Sequence, residues 1–276
     1  MSFPEAVSLR DQLWSPVQNT GLWMSWWLHG VIPADALIDA FRSVQGGHHR
    51  LIMDADSEPM CPPPSASGLS DVLRAARLVT EQVDVTVESR PLVQLALAGP
   101  GDVPPLPAGT EGAKAVAQAG AGLVLADVDP EVCHVLVPKL VDNSVVHWHW
   151  YRTEGTAPNM SIHSPGDADA LLREAVNSAA DGVHNSGMPA VRNHNKDPHL
   201  AVGVLSNVFG LPGLPPGVSG RAEKLMARAD TVAAIVEVTR SSRAGAGLDP
   251  HVLPLLRAVR IARCTAVDYA QRELLR

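Results

Sequence analysis

Cysteine is scarce in this sequence: Cys61, Cys133 and Cys264 are far apart, odd in number and without C-x-x-C spacing. That excludes a disulfide framework and a zinc knuckle, and it suits a reducing compartment. Basic residues are also few, 22 Lys and Arg against 29 Asp and Glu, for a formal net charge of -7. Binding nucleic acid by counterion release needs clustered Lys and Arg, so no general nucleic-acid partner is expected. Long apolar runs are missing as well. The most apolar stretch, Leu22 to Ile32, is interrupted by Ser25, His29 and Gly30, and it is about half the roughly 20 residues that cross a bilayer. Met1 to Arg10 has no charged start leading into an apolar run and a cleavage site, so it does not read as a signal peptide. The expected location is the cytoplasm, with no membrane partner.

What is present suits a folded chain, because 46% of the 276 residues are hydrophobic and 18% charged, far from the composition of disorder. Trp23, Trp26 and Trp27 stand at i, i+3 and i+4, one face of a helix that breaks at Gly30. Pro33 opens a second helix, with Ala36, Leu37, Ala40, Phe41 and Val44 as its apolar stripe before Gly46 and Gly47. Asp54 to Gly68 holds Pro59, Pro62, Pro63 and Pro64 and reads as a loop. Ser70 is the expected N-cap of an amphipathic helix running to about Gln82. A strand over Leu92 to Ala98 stops at Gly99, Pro100 and Gly101. A helix from Glu111 to Ala119 and strands over Gly122 to Ala126, near Val132 to Val137 and over Val145 to Tyr151 follow. Beyond the polar segment Thr153 to Gly166 only helices are expected, at Ala168 to Ala180, Ala201 to Phe209, Ser219 to Arg240 and Pro250 to Leu275. The fold class is therefore α+β: an N-terminal mixed or antiparallel sheet of about four strands with covering helices, over 1–155. A C-terminal helical bundle, over 165–276, packs against it.

Alternation along Val145 to Tyr151 puts His147, His149 and Tyr151 on one face of a strand and Val146, Trp148 and Trp150 on the other. Imidazoles at i and i+2 can converge on one ion, given a third ligand. Hairpin register decides which residue that is. A four-residue loop, Leu140 to Asn143, sets residue 134 opposite 149 and puts His134, His147 and His149 on one face. A five-residue loop sets Cys133 opposite His149 instead. A second, weaker cation signal is His48 and His49 ahead of Asp54, Asp56 and Glu58. Asp127 and Asp129 repeat the Asp-x-Asp spacing, but Pro130 makes them turn residues. Gly99-Pro100-Gly101-Asp102 lacks the remaining residues of a phosphate loop and reads as a turn. Cys264, mid-helix among Ile261, Ala262 and Val267, reads as a buried inert thiol.

The tryptophans cluster at Trp14 to Trp27 and at Trp148 to Trp150. Aromatics from a helix and a strand can line one apolar pocket with indole N–H groups as polar handles, which makes Trp23, Trp26, Trp27, Trp148 and Trp150 the candidate ligand-binding set. The order Leu97-Ala98-Gly99-Pro100-Gly101-Asp102, a Pro-rich turn, an Ala-rich helix, a strand and a strand of alternating His and aromatics resembles an uncharacterised conserved family of high-GC actinobacteria. The helix pair from Trp26 to Phe41 is similar too. The resemblance covers roughly the first 155 residues and implies an N-terminal unit and no particular activity. No nucleophile, base and orienting group assemble from spacing alone. The leading expectation is a non-catalytic intracellular protein that binds a small molecule or a protein partner, without a cofactor. The alternative is a zinc-dependent hydrolase built on His147, His149 and His134.

Overall fold

The structure is a computed structural model that describes residues 15–53, 68–99, 101–142, 145–155, 163–185, 198–240 and 249–276. Its elements, in chain order, are α1 Ser15–Leu28, α2 Ala34–Gln45, β1 His48–Met53, α3 Leu69–Thr80, β2 Val93–Leu97, α4 Glu111–Ala119, β3 Ala121–Ala126, β4 Val132–Asp142, β5 Val145–Glu154, α5 Pro165–Asn185, α6 Pro198–Phe209, α7 Gly220–Arg240 and α8 Asp249–Leu274. The protein is α+β: one mixed sheet of five strands in the order β1-β5-β4-β3-β2, with β1 parallel to β5 and the remaining pairs antiparallel.

β1 is the strand the sequence hides. His48, His49 and Arg50 offer no run of apolar β-formers, yet the strand aligns His49 with Val146 and Leu51 with Trp148 and so extends the sheet beyond the expected four strands. Helix α3 begins two residues earlier than an N-cap at Ser70 would place it. Gly68 is its N-cap, and the carboxylate of Asp71 accepts the Gly68 amide at 2.9 Å, which satisfies an end donor that Ser70 cannot reach from inside the helix. The expected loop from 54 to 67 lies outside the described residues.

The sheet buries its two faces unequally. Val93, Leu95, Leu97, Leu123, Leu125, Leu136, Val146, Trp148 and Trp150 form one face, in a core shared with α1, α2, α3 and the C-terminal helices. The opposite face carries the smaller side chains Ala96, Ala98, Val124, Cys133, Val135 and Val137, beneath α4. Helix α4 is bounded as its ends demand: the Thr110 hydroxyl accepts the Ala113 amide at 3.2 Å, and Gly120 closes it in the left-handed conformation.

Helix α8 ties the C-terminal half to the sheet. β2 is an edge strand, and α8 satisfies its outward carbonyls: Gln271 Nε2 donates to Val93 O at 2.6 Å and the Cys264 thiol to Leu95 O at 3.3 Å. An edge so covered offers no template for another chain. Burial pushes the Cys264 thiol up to about 12, in keeping with an inert side chain. The turn after β2 provides a further clasp. Asp102 accepts from Arg260 Nε at 3.0 Å and Nη2 at 2.6 Å, with Arg257 3.3 Å away. Gly99 makes the approach feasible, because a Cβ there would stand 2.5 Å from Arg260 Nη1. The Gly-Pro-Gly-Asp turn is thus a docking point for α8. Asp102→Ala leaves the 4%-exposed Arg260 guanidinium without its carboxylate and is expected to cost about 1.5–3 kcal/mol in urea unfolding.

Candidate functional site

Two indole–imidazole pairs occupy the buried face of β5. Trp148 Nε1 donates to His49 Nδ1 at 3.0 Å, and His49 Nε2 donates to the Gly46 carbonyl at 3.0 Å. Two residues on, Trp150 Nε1 donates to His134 Nδ1 at 3.1 Å, and His134 Nε2 donates to Asp127 Oδ2 at 2.8 Å. Each ring is a neutral imidazole whose tautomer is set by its second partner. Burial holds both histidines below the ordinary imidazole range, against the opposing pull of Gly46 on one and of Asp127 on the other. Asp127–His134 has the composition of a catalytic dyad, but the nitrogen that would take a proton is already occupied by an indole N–H. The chain of bonds is a structural one.

This arrangement corrects the expected histidine triad. The register sets His134 opposite Arg152, Val137 opposite His149 and Lys139 opposite His147, so His134 faces the Trp side of the sheet and His147 and His149 the other. Cys133 does share the face of His149, but it is buried opposite Thr153 rather than opposite His149. The ring centroids of His147 and His149 are 6.4 Å apart, and the His149 ring stacks on Tyr151 at 6.5 Å. Among the described residues no group of three His, Cys, Asp or Glu is placed to hold a metal ion. The acidic residues expected to join His48 and His49 lie outside the described residues, and the His49 ring turns into the core.

The five candidate tryptophans share one hydrophobic cluster. Trp26, Trp148 and Trp150 are fully buried, Trp23 and Trp27 half-buried. Trp148 packs against Phe41 with centroids 5.7 Å apart, and Arg77 lies 4.1 Å over the Trp27 ring. Among the described residues no ring contact joins the helix tryptophans to those of the strand. Trp14 lies outside the described residues.

The helix tryptophans instead build a site that spacing did not reveal. Trp23 Nε1 donates to the Gly213 carbonyl at 3.0 Å, and Trp26 Nε1 to the Pro216 carbonyl at 2.8 Å. Asn19, one turn earlier, donates to the Leu211 carbonyl at 2.9 Å. One face of α1 therefore grips the connector between α6 and α7 at three carbonyls, those of residues 211, 213 and 216. The gripped connector walls a cleft of about 660 Å³, closed on the other sides by Asn207 of α6 and by Glu223, Met226 and Asp230 of α7. Asp230 and Glu223 are seven residues apart on α7, hence on one helix face. Asp230 is buried and bonded to the equally buried Arg263 at 2.7 Å. Burial pushes the Asp230 carboxyl above its ordinary value, and Arg263 pulls it back. A sequence signal existed: two tryptophans one helical turn apart, each with an N–H requiring a partner, and a Gly- and Pro-rich connector with carbonyls to offer.

The model for the Rv1486c-like protein N-terminal domain matches residues 19–163, and the model for the Rv1486c-like protein C-terminal domain matches residues 166–264. The uncharacterized protein ML1804 of Mycobacterium leprae is 25% identical over 93% of this chain and 97% of its own length. The uncharacterized protein Rv1486c of Mycobacterium tuberculosis is 25% identical over 92% of this chain and 96% of its own length. No solved structure matches the chain. The likeness extends past the N-terminal 155 residues into the helical half, and the chain belongs to the Rv1486c-like protein family.

Proposed function

We propose that this is a non-catalytic binding protein whose ligand, a small hydroxyl- or amine-bearing molecule, enters the cleft between the 210–218 connector and α7. The carrying observation is that Trp23, Trp26 and Asn19 commit their N–H groups to the carbonyls of Gly213, Pro216 and Leu211. A connector held open in this way costs little to order when a ligand arrives. The polar lining supports the ligand class: Glu223 and Asp230 are acceptors for hydroxyl or ammonium donors, while Ser206 and Asn207 can both donate and accept. The apolar atoms of Leu214, Val218 and Met226 suit the carbon skeleton. In this reading the tryptophans clamp the pocket rather than line it, and Asp230 serves as a fixed charge and not as a base.

A thermal-shift screen of small polyols, amines and amino acids tests the reading. A saturating ligand is expected to raise Tm by several degrees, since excess of about a hundredfold over Kd contributes about 2.7 kcal/mol. Asn207→Leu alters an exposed side chain at the cleft wall and is expected to abolish the shift without lowering the basal Tm. A shift that survives this substitution would place the ligand elsewhere.

A further inference from the structure

A second cleft lies at the N-terminal end of β2, where the connector between α3 and β2 meets the end of β3. It encloses about 530 Å³ and is lined by Asp84, Glu88, Arg90, Gln94, Asp127 and Arg272, among others. Gln94, like Gln18 and Gln45, is a buried glutamine with an unpartnered amide oxygen, and it is the one of the three that lines this cleft. Its side chain is only 4% exposed, and its Oε1 is buried without a hydrogen-bond partner. A buried orphan acceptor costs about 1–3 kcal/mol, so it marks a place where a donor belongs.

The charges around it indicate which donor. Both arginines of the lining have partners within the protein, Arg272 a carboxylate and Arg90 a carbonyl that leaves its charge in place. Arg272 bonds Asp268 at 2.8 Å and donates to the carbonyls of Val87 at 2.6 Å and Ser89 at 3.3 Å, while Arg90 donates to the Val132 carbonyl at 3.3 Å. The two rim carboxylates are not so committed. Asp84 and Glu88 are exposed at the rim and form no ion pair among the described residues. Asp127 is held rigidly, accepting from the Asp129 amide at 2.9 Å and from His134 at 2.8 Å. Burial works against its ionisation, but these bonds and the charge of Arg152 outweigh it and keep the carboxyl below the ordinary range. Val83 and Val128 supply apolar wall between the polar groups.

We infer that this cleft is a binding site for a small organic cation, an ammonium or guanidinium group on a short apolar stem, donating to Gln94 Oε1 under the field of Asp84, Glu88 and Asp127. The site is independent of the cleft at α7, from which it differs in every lining residue.

Calorimetric titration of the full chain with agmatine and putrescine tests it, with 1,4-butanediol and succinate as uncharged and anionic comparators. Both cations should bind at millimolar concentration or tighter, and neither comparator should. Gln94→Leu is the informative variant. Removing the orphan amide should leave Tm equal or higher while weakening the cations about tenfold or more. The Asp84→Asn/Glu88→Gln double substitution, confined to the rim, should weaken them as well and make the remaining binding less salt-sensitive. Equal binding of 1,4-butanediol, undiminished binding by Gln94→Leu, or no binding of either cation to the wild-type chain would each overturn the inference. Loss of binding in Asn207→Leu would assign the cations to the cleft at α7 instead and overturn it too.

Discussion

Replacing Arg263 by methionine is expected to destabilise the protein by about 3–5 kcal/mol, and replacing Asp230 by leucine in the same molecule to restore most of that loss. Arg263 is 1% and Asp230 6% exposed at the side chain. The single substitution strands a carboxylate in the interior between α7 and α8, with no cation to offset its desolvation. It also removes the guanidinium that lies 5.3 Å from the Phe209 ring. The double substitution removes both charges and fills the same volume with carbon, which many interiors tolerate at little cost. Urea midpoints with the slope held constant would measure both effects. A single variant within about 1 kcal/mol of the wild type would mean that water reaches the pair. The double variant has a second use: if it is as stable as the wild type but gives no thermal shift with a ligand of the α7 cleft, then Asp230 is retained for binding rather than for folding.

The contrast between helices and strands shows what was legible in the chain. Helix α4 was readable to the residue, since Thr110 and Gly120 supply its caps and nothing distant competes. The Gly- and Pro-bounded strands β2 and β3 were readable for the same local reason. The hairpin of β4 and β5 was not. Pro138 suggests that a strand stops before it, yet β4 runs on to Asp142. The proline is tolerated because β3 pairs only with Cys133 to Leu136 and leaves no ladder partner beside Pro138 on that side. Extending the strand moves the turn and sets His134 opposite Arg152 rather than His149. The one-residue register shift between Leu140 and Asp142 turns His134 from the His149 face to the Trp face, and that bulge dissolved the metal site. β1 was invisible because a parallel edge strand takes its pairing from a segment about a hundred residues away, here Val145 to Trp150, and a His-His-Arg start carries no local signature of it. The expected histidine cluster failed because it depended on the hairpin register, which no local signal sets.

Those partners set the largest stability effect expected from the sheet. Trp148→Ala should cost about 3–5 kcal/mol, because the ring is fully buried and packs on Phe41. Trp148→Phe keeps most of the volume, yet it should still cost about 1–3 kcal/mol. Phenylalanine has no N–H for His49 Nδ1, whose other nitrogen is committed to Gly46. The same bond makes the protein sensitive to acid. A protonated His49 or His134 carries an N–H on both nitrogens, and one of them then points at an indole N–H. Both folded imidazoles sit below their ordinary value, burial being the main cause. The unfolded chain therefore takes up protons first. The contribution is complete above the unfolded imidazole pKa of about 6.5 and drains away as the pH falls below it toward the folded values. That window opens well above the range in which ordinary carboxylates titrate, about 4, so its onset is separable from theirs. Urea unfolding at about pH 7.5 and about pH 5.5 should show wild-type stability falling with acid. His49→Gln and His134→Gln, whose amide oxygens can still accept the indole proton, should each be less acid-sensitive. Equal pH dependence in the wild type and both variants would show that neither imidazole is held neutral by its tryptophan.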